Sequence, residues 1–116
     1  MKTIKITKVT NEEVQTLQNE LHHFQNTLTS TLKNQQAFID AIIYIDLSLR
    51  LWFNFRNKIE KEEPKNGYTI TLKTSEAAIL LKTCLWQNPN NGTFERNVKT
   101  KYSSYLDQQL KSLNHA

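Results

Sequence analysis

The fold of this chain is decided by residues 14–59, which read VQTLQNELHHFQNTLTSTLKNQQAFIDAIIYIDLSLRLWFNFRNKI. Apolar residues recur in this stretch at alternating spacings of three and four positions. Two heptad sets start at Val14 and Leu17, and eleven of their fourteen positions are apolar. A repeat that averages about 3.5 residues keeps one seam of a helix facing a partner, as in a coiled coil. The stretch therefore predicts either one long helix or a helical hairpin.

The two halves of this stretch differ in the width of their apolar stripe. In the first half the apolar residues form one narrow seam, whose members are Val14, Leu17, Leu21, Phe24 and Leu28. From residue 37 onward the apolar surface widens, so we expect residues 42–59 to form the core helix. A continuous helix of about 50 residues would be roughly 75 Å long, too long for the rest of the chain to cover. The narrow seam is therefore covered either by a fold-back near residues 29–36 or by a second chain.

Residues 43–56 also have a second periodicity. All odd positions from Ile43 to Phe55 are apolar and most even ones are polar, which is the spacing of a strand. Such a strand would run about 46 Å, well beyond the usual length. The helical interpretation places Asp46 and Arg50 at the i, i+4 distance of an ion pair, within one polar stripe. We therefore favour a helix here.

The rest of the chain supplies a short ribbon and two further helices. Residues 3–9 and 68–73 alternate and are rich in β-branched side chains, so they are predicted to pair. Thr10 and Glu13 match a capping box at the start of the first helix. The predicted fold is mainly α, with a long heptad-patterned helix or helical hairpin packed against two C-terminal helices, plus the two-stranded ribbon. All 116 residues are expected to form one domain.

Composition narrows the class of protein. A hydrophobic fraction of 38% and a charged fraction of 22% are typical of a globular chain, and two glycines and two prolines predict few, long elements. The single cysteine, Cys84, excludes an internal disulfide, and its apolar neighbours predict that it is buried. The sequence shows neither a signal peptide nor an apolar run of about eighteen residues, so we expect a cytoplasmic protein without a membrane segment.

No cluster of residues predicts catalysis. His22 and His23 are adjacent on a helix, so they point about 100° apart and cannot hold one metal ion together. Glu20 and His23 have the spacing of metal ligands, but a pair lacks the third and fourth ligands. The sequence contains no glycine-rich phosphate loop and no nucleophile elbow. We therefore predict that the protein is not an enzyme and has no catalytic residue, cofactor or metal.

Two hypotheses for function remain, and both rely on binding. The first is a small helical interaction protein that binds another macromolecule as a homodimer, with the narrow seam as its partner-binding surface. The second is a basic accessory or inhibitor protein, of the phage or mobile-element type, that acts on nucleic acid or on a nucleic-acid-processing complex. Its candidate phosphate contacts are Arg96, Lys99 and Lys101 on the last helix. The net charge of +4 is compatible with either.

Overall fold

The computed structural model describes residues 3–30 and 38–113, and within these ranges the protein consists of four helices and two strands. The elements in chain order are β1 (Thr3–Val9), α1 (Asn11–Ser30), α2 (Phe38–Ile59), β2 (Tyr68–Lys73), α3 (Thr74–Leu85) and α4 (Thr93–Leu113). The prediction of a mainly helical fold with a short two-stranded ribbon is therefore confirmed, and the two strands run antiparallel.

The long patterned stretch forms two helices that pack side by side. α1 ends at Ser30 and α2 begins at Phe38. The longest dimension of the molecule is 47 Å, which excludes a single helix through the whole stretch. The structure therefore adopts the hairpin alternative, and most of the predicted fold-back, residues 31–36, lies outside the described residues. Residues 43–56 are helical, so the strand alternative does not apply.

The ribbon pairs β1 with β2 in antiparallel register and contains one irregularity. Ile6 lies opposite Ile70, but Val9 lies opposite Tyr68, so β1 has one extra residue and the register shifts between Ile6 and Val9. Lys8 lies within this irregularity and has a φ of +58°. Gly67, which precedes β2, has a φ of +82°, and a Cβ at this position would lie 2.8 Å from the Lys8 carbonyl carbon. Only glycine fits this close approach.

The core lies between one face of the ribbon and the helices. Ile4, Ile6, Ile70 and Leu72 are buried, while the strand residues between them are exposed. This alternation directs one face of the ribbon toward the helices. The Cys84 side chain is buried in the same core, as its apolar neighbours predict.

Burial along the hairpin is the reverse of what the width of the apolar stripe predicts. We expect residues 42–59 to form the core helix, but within α2 the buried residues are limited to Ala41, Ser48, Leu51 and Phe55. The narrow seam of α1 lies in the centre of the core instead. The reason is the position of the two helices, since α1 packs against α2, α3 and α4, whereas α2 packs mainly against α1 and α3. One face of α2 is therefore left uncovered.

Candidate functional site on helix α2

The narrow seam is covered by its own chain. Val14, Leu17 and Leu21 have no exposed surface, Phe24 is 5% exposed and Leu28 is half-buried. The Phe24 ring also packs against Trp86, which follows α3, with 5.9 Å between the ring centroids. In this arrangement the seam is not available to a second copy. Any partner must therefore bind elsewhere on the molecule.

The first of the predicted phosphate contacts, Lys99, is buried inside the fold. Its Nζ donates to Glu20 Oε1 at 3.2 Å, to the Trp86 carbonyl at 2.6 Å and to Asn91 Oδ1 at 3.0 Å. A lysine ammonium has three donors, so all of them are used. Lys99 therefore cannot contact a phosphate unless this network breaks.

The other two predicted phosphate contacts lie on the surface of α4, but one of them is already paired. Lys101 Nζ lies 2.8 Å from Glu13 Oε2, and Arg96 donates to the Asn91 carbonyl at 3.2 Å. Two of the three cations are thus neutralised by carboxylates of α1. The structure does not bring Arg96, Lys99 and Lys101 together as a free basic face, because Glu20 pairs with Lys99 and Glu13 pairs with Lys101. No local spacing in the sequence relates either carboxylate to its lysine.

Glu13 is the centre of a second polar cluster between α1 and α4. Its carboxylate accepts hydrogen bonds from the Tyr102 hydroxyl at 2.8 Å and from the Thr10 amide at 3.0 Å, besides the ion pair with Lys101. Burial alone would raise the pKa of Glu13, but the bonds from Lys101, Thr10 and Tyr102 outweigh it and lower the pKa below its ordinary value. Glu13 is therefore a charged structural group.

A groove between the end of α3 and the start of α4 has a volume of about 570 Å³. Its polar lining includes Asn88 and Lys99, both of which already bond to the Glu20 carboxylate. The Cys84 thiol also lines it, and burial raises the pKa of this thiol to about 12, so it stays protonated at neutral pH. The groove thus contains neither a free buried charge nor an activated nucleophile.

Residues 3–30 and 38–113 form neither a metal site nor a membrane-spanning helix. Within those ranges no three side chains of the metal-ligating types converge, and no helix has the length and apolarity to cross a bilayer. The His22 and His23 rings are both exposed and lie 6.2 Å apart at an interplanar angle of 81°. This geometry is an edge-to-face contact between the two rings.

The uncovered side of α2 carries large apolar side chains. Six of them are between 41% and 69% exposed, and they are Phe38, Ile39, Ile42, Ile43, Leu49 and Phe53. At about 100° per residue these positions fall on one side of the helix, opposite the buried Leu51 and Phe55. We call these six residues the α2 face.

The α2 face is large for a surface that remains in water. Side chains of this size carry roughly 200 Å² of accessible surface, so the six residues expose on the order of 600 Å². The largest apolar patch on a typical monomeric protein is about 300–600 Å² and is often functional, so the α2 face lies at the upper end of that range. The α2 face is therefore the strongest candidate for a binding surface among the described residues.

An ion pair lies in the middle of the α2 face. Arg50 Nη2 is 3.1 Å from Asp46 Oδ2, and the two side chains are 71% and 56% exposed. In helical angle, Asp46 lies within about 80° of every member of the face. The predicted polar stripe through Asp46 and Arg50 is therefore present, but it is surrounded by exposed apolar residues. The signal that could have revealed this face is the excess of apolar residues around α2, more than one core-facing side requires.

Known proteins give no further indication of what the α2 face binds. No protein-family model matches the chain, and neither a curated protein nor a solved structure does. Its chemistry is therefore inferred from its own residues, which are six large apolar side chains around one pair of opposite charges.

Proposed function

We propose that this protein is a small, non-enzymatic helical interaction protein that works as a homodimer and joins its two copies through the α2 face. The observation that supports the proposal is the group of six apolar side chains left exposed on a single helix. Packing of these side chains against a second copy would remove on the order of 600 Å² of apolar surface per copy from water, and this removal is the main driving force for association.

The charges within the α2 face favour a protein partner over a lipid surface. A helix that lies on a membrane inserts its apolar side among the acyl chains and keeps its charges on the other side. Here Asp46 and Arg50 lie within the apolar side, so insertion would remove both from water without supplying new partners. A protein surface with opposite charges can pair with them.

A second copy of this chain has both the charges and the apolar surface that complement the α2 face. A twofold dimer uses the same patch on both copies, so the patch must be complementary to itself. The α2 face contains both an acid and a base at its centre and apolar side chains on either side of them. Its area also approaches the roughly 800 Å² per partner of a stable interface, and the half-buried Trp52, whose ring packs edge-on against Phe53, can extend it.

The mass of the purified protein in solution tests this proposal. Light scattering at micromolar concentration should report twice the chain mass of 13.6 kDa. Ile43→Glu should lower the mass to that of one chain without loss of helicity, because Ile43 is 49% exposed and the charge would enter the interface. Gln108→Glu on α4, an exposed position outside the α2 face, is the matched control and should stay dimeric. A strictly monomeric mass for the unmodified protein would refute the proposal.

A further inference from the structure

The positions of Asp46 and Arg50 along α2 define a level at which a twofold axis could cross the helix. Asp46 and Arg50 lie two residues on either side of position 48, each about 3 Å from it along the helix axis. Ile42 and Phe53, both exposed, lie about 9 Å and 7.5 Å from the same level in opposite directions. Leu49 lies about 1.5 Å from it. Asp46 and Arg50, together with Ile42 and Phe53, are thus placed almost symmetrically about position 48, whereas Phe38 and Ile39 lie at one end without an apolar counterpart at the other.

An antiparallel pair of α2 helices uses this symmetry. When a twofold axis crosses the helix pair at the level of position 48, Asp46 of each copy lies at the level of Arg50 of the other. Ile42 then lies within about 1.5 Å of the level of Phe53 of the second copy, and the two Leu49 side chains meet beside the axis. In helical angle Ile42 and Phe53 are only about 20° apart, so they also lie on the same side of the pair.

A parallel pair places like charges together. In that arrangement each residue lies at the level of the same residue in the second copy, so Asp46 would face Asp46 and Arg50 would face Arg50. Like charges that meet across an interface repel each other, whereas opposite charges attract and fix the register. The charge pattern of α2 therefore selects the antiparallel orientation.

We infer that the occupant of the α2 face is a second copy whose α2 helix runs antiparallel, so that Asp46 of each copy pairs with Arg50 of the other. This inference rests on the proposed function, because it specifies how the two copies meet. Each carboxylate would then lie between two guanidinium groups, one from its own helix at 3.1 Å and one from the second copy. The four charges compensate one another as the surrounding apolar side chains exclude water.

Charge reversal tests the pairing between the copies. Asp46→Arg would place four arginines together, so the dimer dissociation constant should rise about tenfold or more. The double variant Asp46→Arg/Arg50→Asp exchanges the partners and should restore it. Asp107→Arg, which reverses the acid of an exposed i, i+4 ion pair with Lys111 on α4, is the control and should leave the dissociation constant unchanged. A dimer that is insensitive to Asp46→Arg would overturn the inference.

Cysteine cross-linking tests the orientation. A tagged Ile42→Cys chain mixed with an untagged Phe53→Cys chain should form a mixed disulfide under mild oxidation, whereas neither variant alone should cross-link. The unmodified protein should also remain uncrosslinked because Cys84 is buried. Disulfides within the Ile42→Cys homodimer instead of the mixed product would indicate parallel helices and overturn the inference, although the homodimer itself would stand. If light scattering shows only monomers, the proposed function fails and the inference fails with it.

Discussion

Lys99 and Glu20 form a buried ion pair that connects α4 to α1. The Lys99 Nζ lies 3.2 Å from Glu20 Oε1, and the side chains are 6% and 4% exposed. The other carboxylate oxygen, Glu20 Oε2, accepts from Asn88 Nδ2 at 2.9 Å. The pair therefore joins two helices and the turn between α3 and α4. The pair also keeps the Lys99 ammonium away from the surface. Lys99 therefore stabilises the fold and is not available to a ligand.

Loss of one member of this pair should strongly destabilise the fold. Lys99→Met leaves the Glu20 carboxylate buried without its cation, so we expect the free energy of unfolding to fall by about 3–5 kcal/mol. Glu20→Gln combined with Lys99→Met should cost less than the sum of the two single changes, because no charge remains unpaired. Urea denaturation followed by circular dichroism measures both. A loss below about 1 kcal/mol for Lys99→Met would contradict the structural role of the pair.

Glu13 should make the stability of the protein depend on pH in the acidic range. Because hydrogen bonds hold the pKa of Glu13 below its ordinary value of 4.5 in the folded state, the charged form stabilises the fold. This contribution is fully present above pH 4.5 and is lost as the pH falls below that value through the folded-state pKa. Glu13→Gln should therefore flatten the decrease in melting temperature below pH 4.5. The exposed Glu62→Gln is the control and should leave the decrease unchanged. Equal slopes for Glu13→Gln and the unmodified protein would refute this.

Leu21→Glu should unfold the monomer, since Leu21 has no exposed surface and a carboxylate there would lose its water without gaining a partner. We expect circular dichroism to show a loss of helicity, because an unpaired charge buried in the core is one of the most destabilising single changes. The contrast with Ile43→Glu separates core from interface, because Ile43 is exposed on the α2 face and its change should affect only the mass. Native helicity in Leu21→Glu would mean that the narrow seam is not part of the core.

Direct binding to nucleic acid should be absent or weak. Lys99 and Lys101 are neutralised by Glu20 and Glu13, so Arg96 is the one predicted phosphate contact on α4 without a carboxylate partner among the described residues. A gel-shift assay at low salt should therefore show no stable complex with double-stranded DNA or with RNA. A complex that weakens steeply as the salt concentration rises would instead support the nucleic-acid alternative.

Gly67→Ala should lower the stability of the ribbon. Its φ of +82° disfavours a side chain, and the new Cβ would lie 2.8 Å from the Lys8 backbone. We expect a loss of about 1–3 kcal/mol in the free energy of unfolding. Gly92→Ala is the matched control, because its Cβ would meet only the end of the Glu95 side chain, with Oε2 at 3.0 Å, and no backbone atom. Equal effects of the two changes in a denaturant titration would show that the approach at Lys8 is not restrictive.

The sequence by itself determined the local elements. The capping box is present, with the Glu13 amide donating to Thr10 Oγ1 at 3.1 Å and the Thr10 amide donating to Glu13 Oε1 at 3.0 Å. The alternation of residues 3–9 and 68–73 became the ribbon, and the heptad pattern became two helices. These features depend on residues within a few positions of one another, which is the range over which periodicity and capping act.

Only the tertiary structure decided which apolar stripe is covered and which charges are paired. Leu21 and Ile42 occupy equivalent positions in the heptad set that starts at Val14, yet Leu21 is fully buried and Ile42 is 46% exposed. Glu20 and Lys99 are 79 residues apart, and nothing in their local spacing relates them. The outcome depends on where α3 and α4 pack, because these helices cover α1 and leave one side of α2 exposed. Helical periodicity defines a stripe but does not specify its partner.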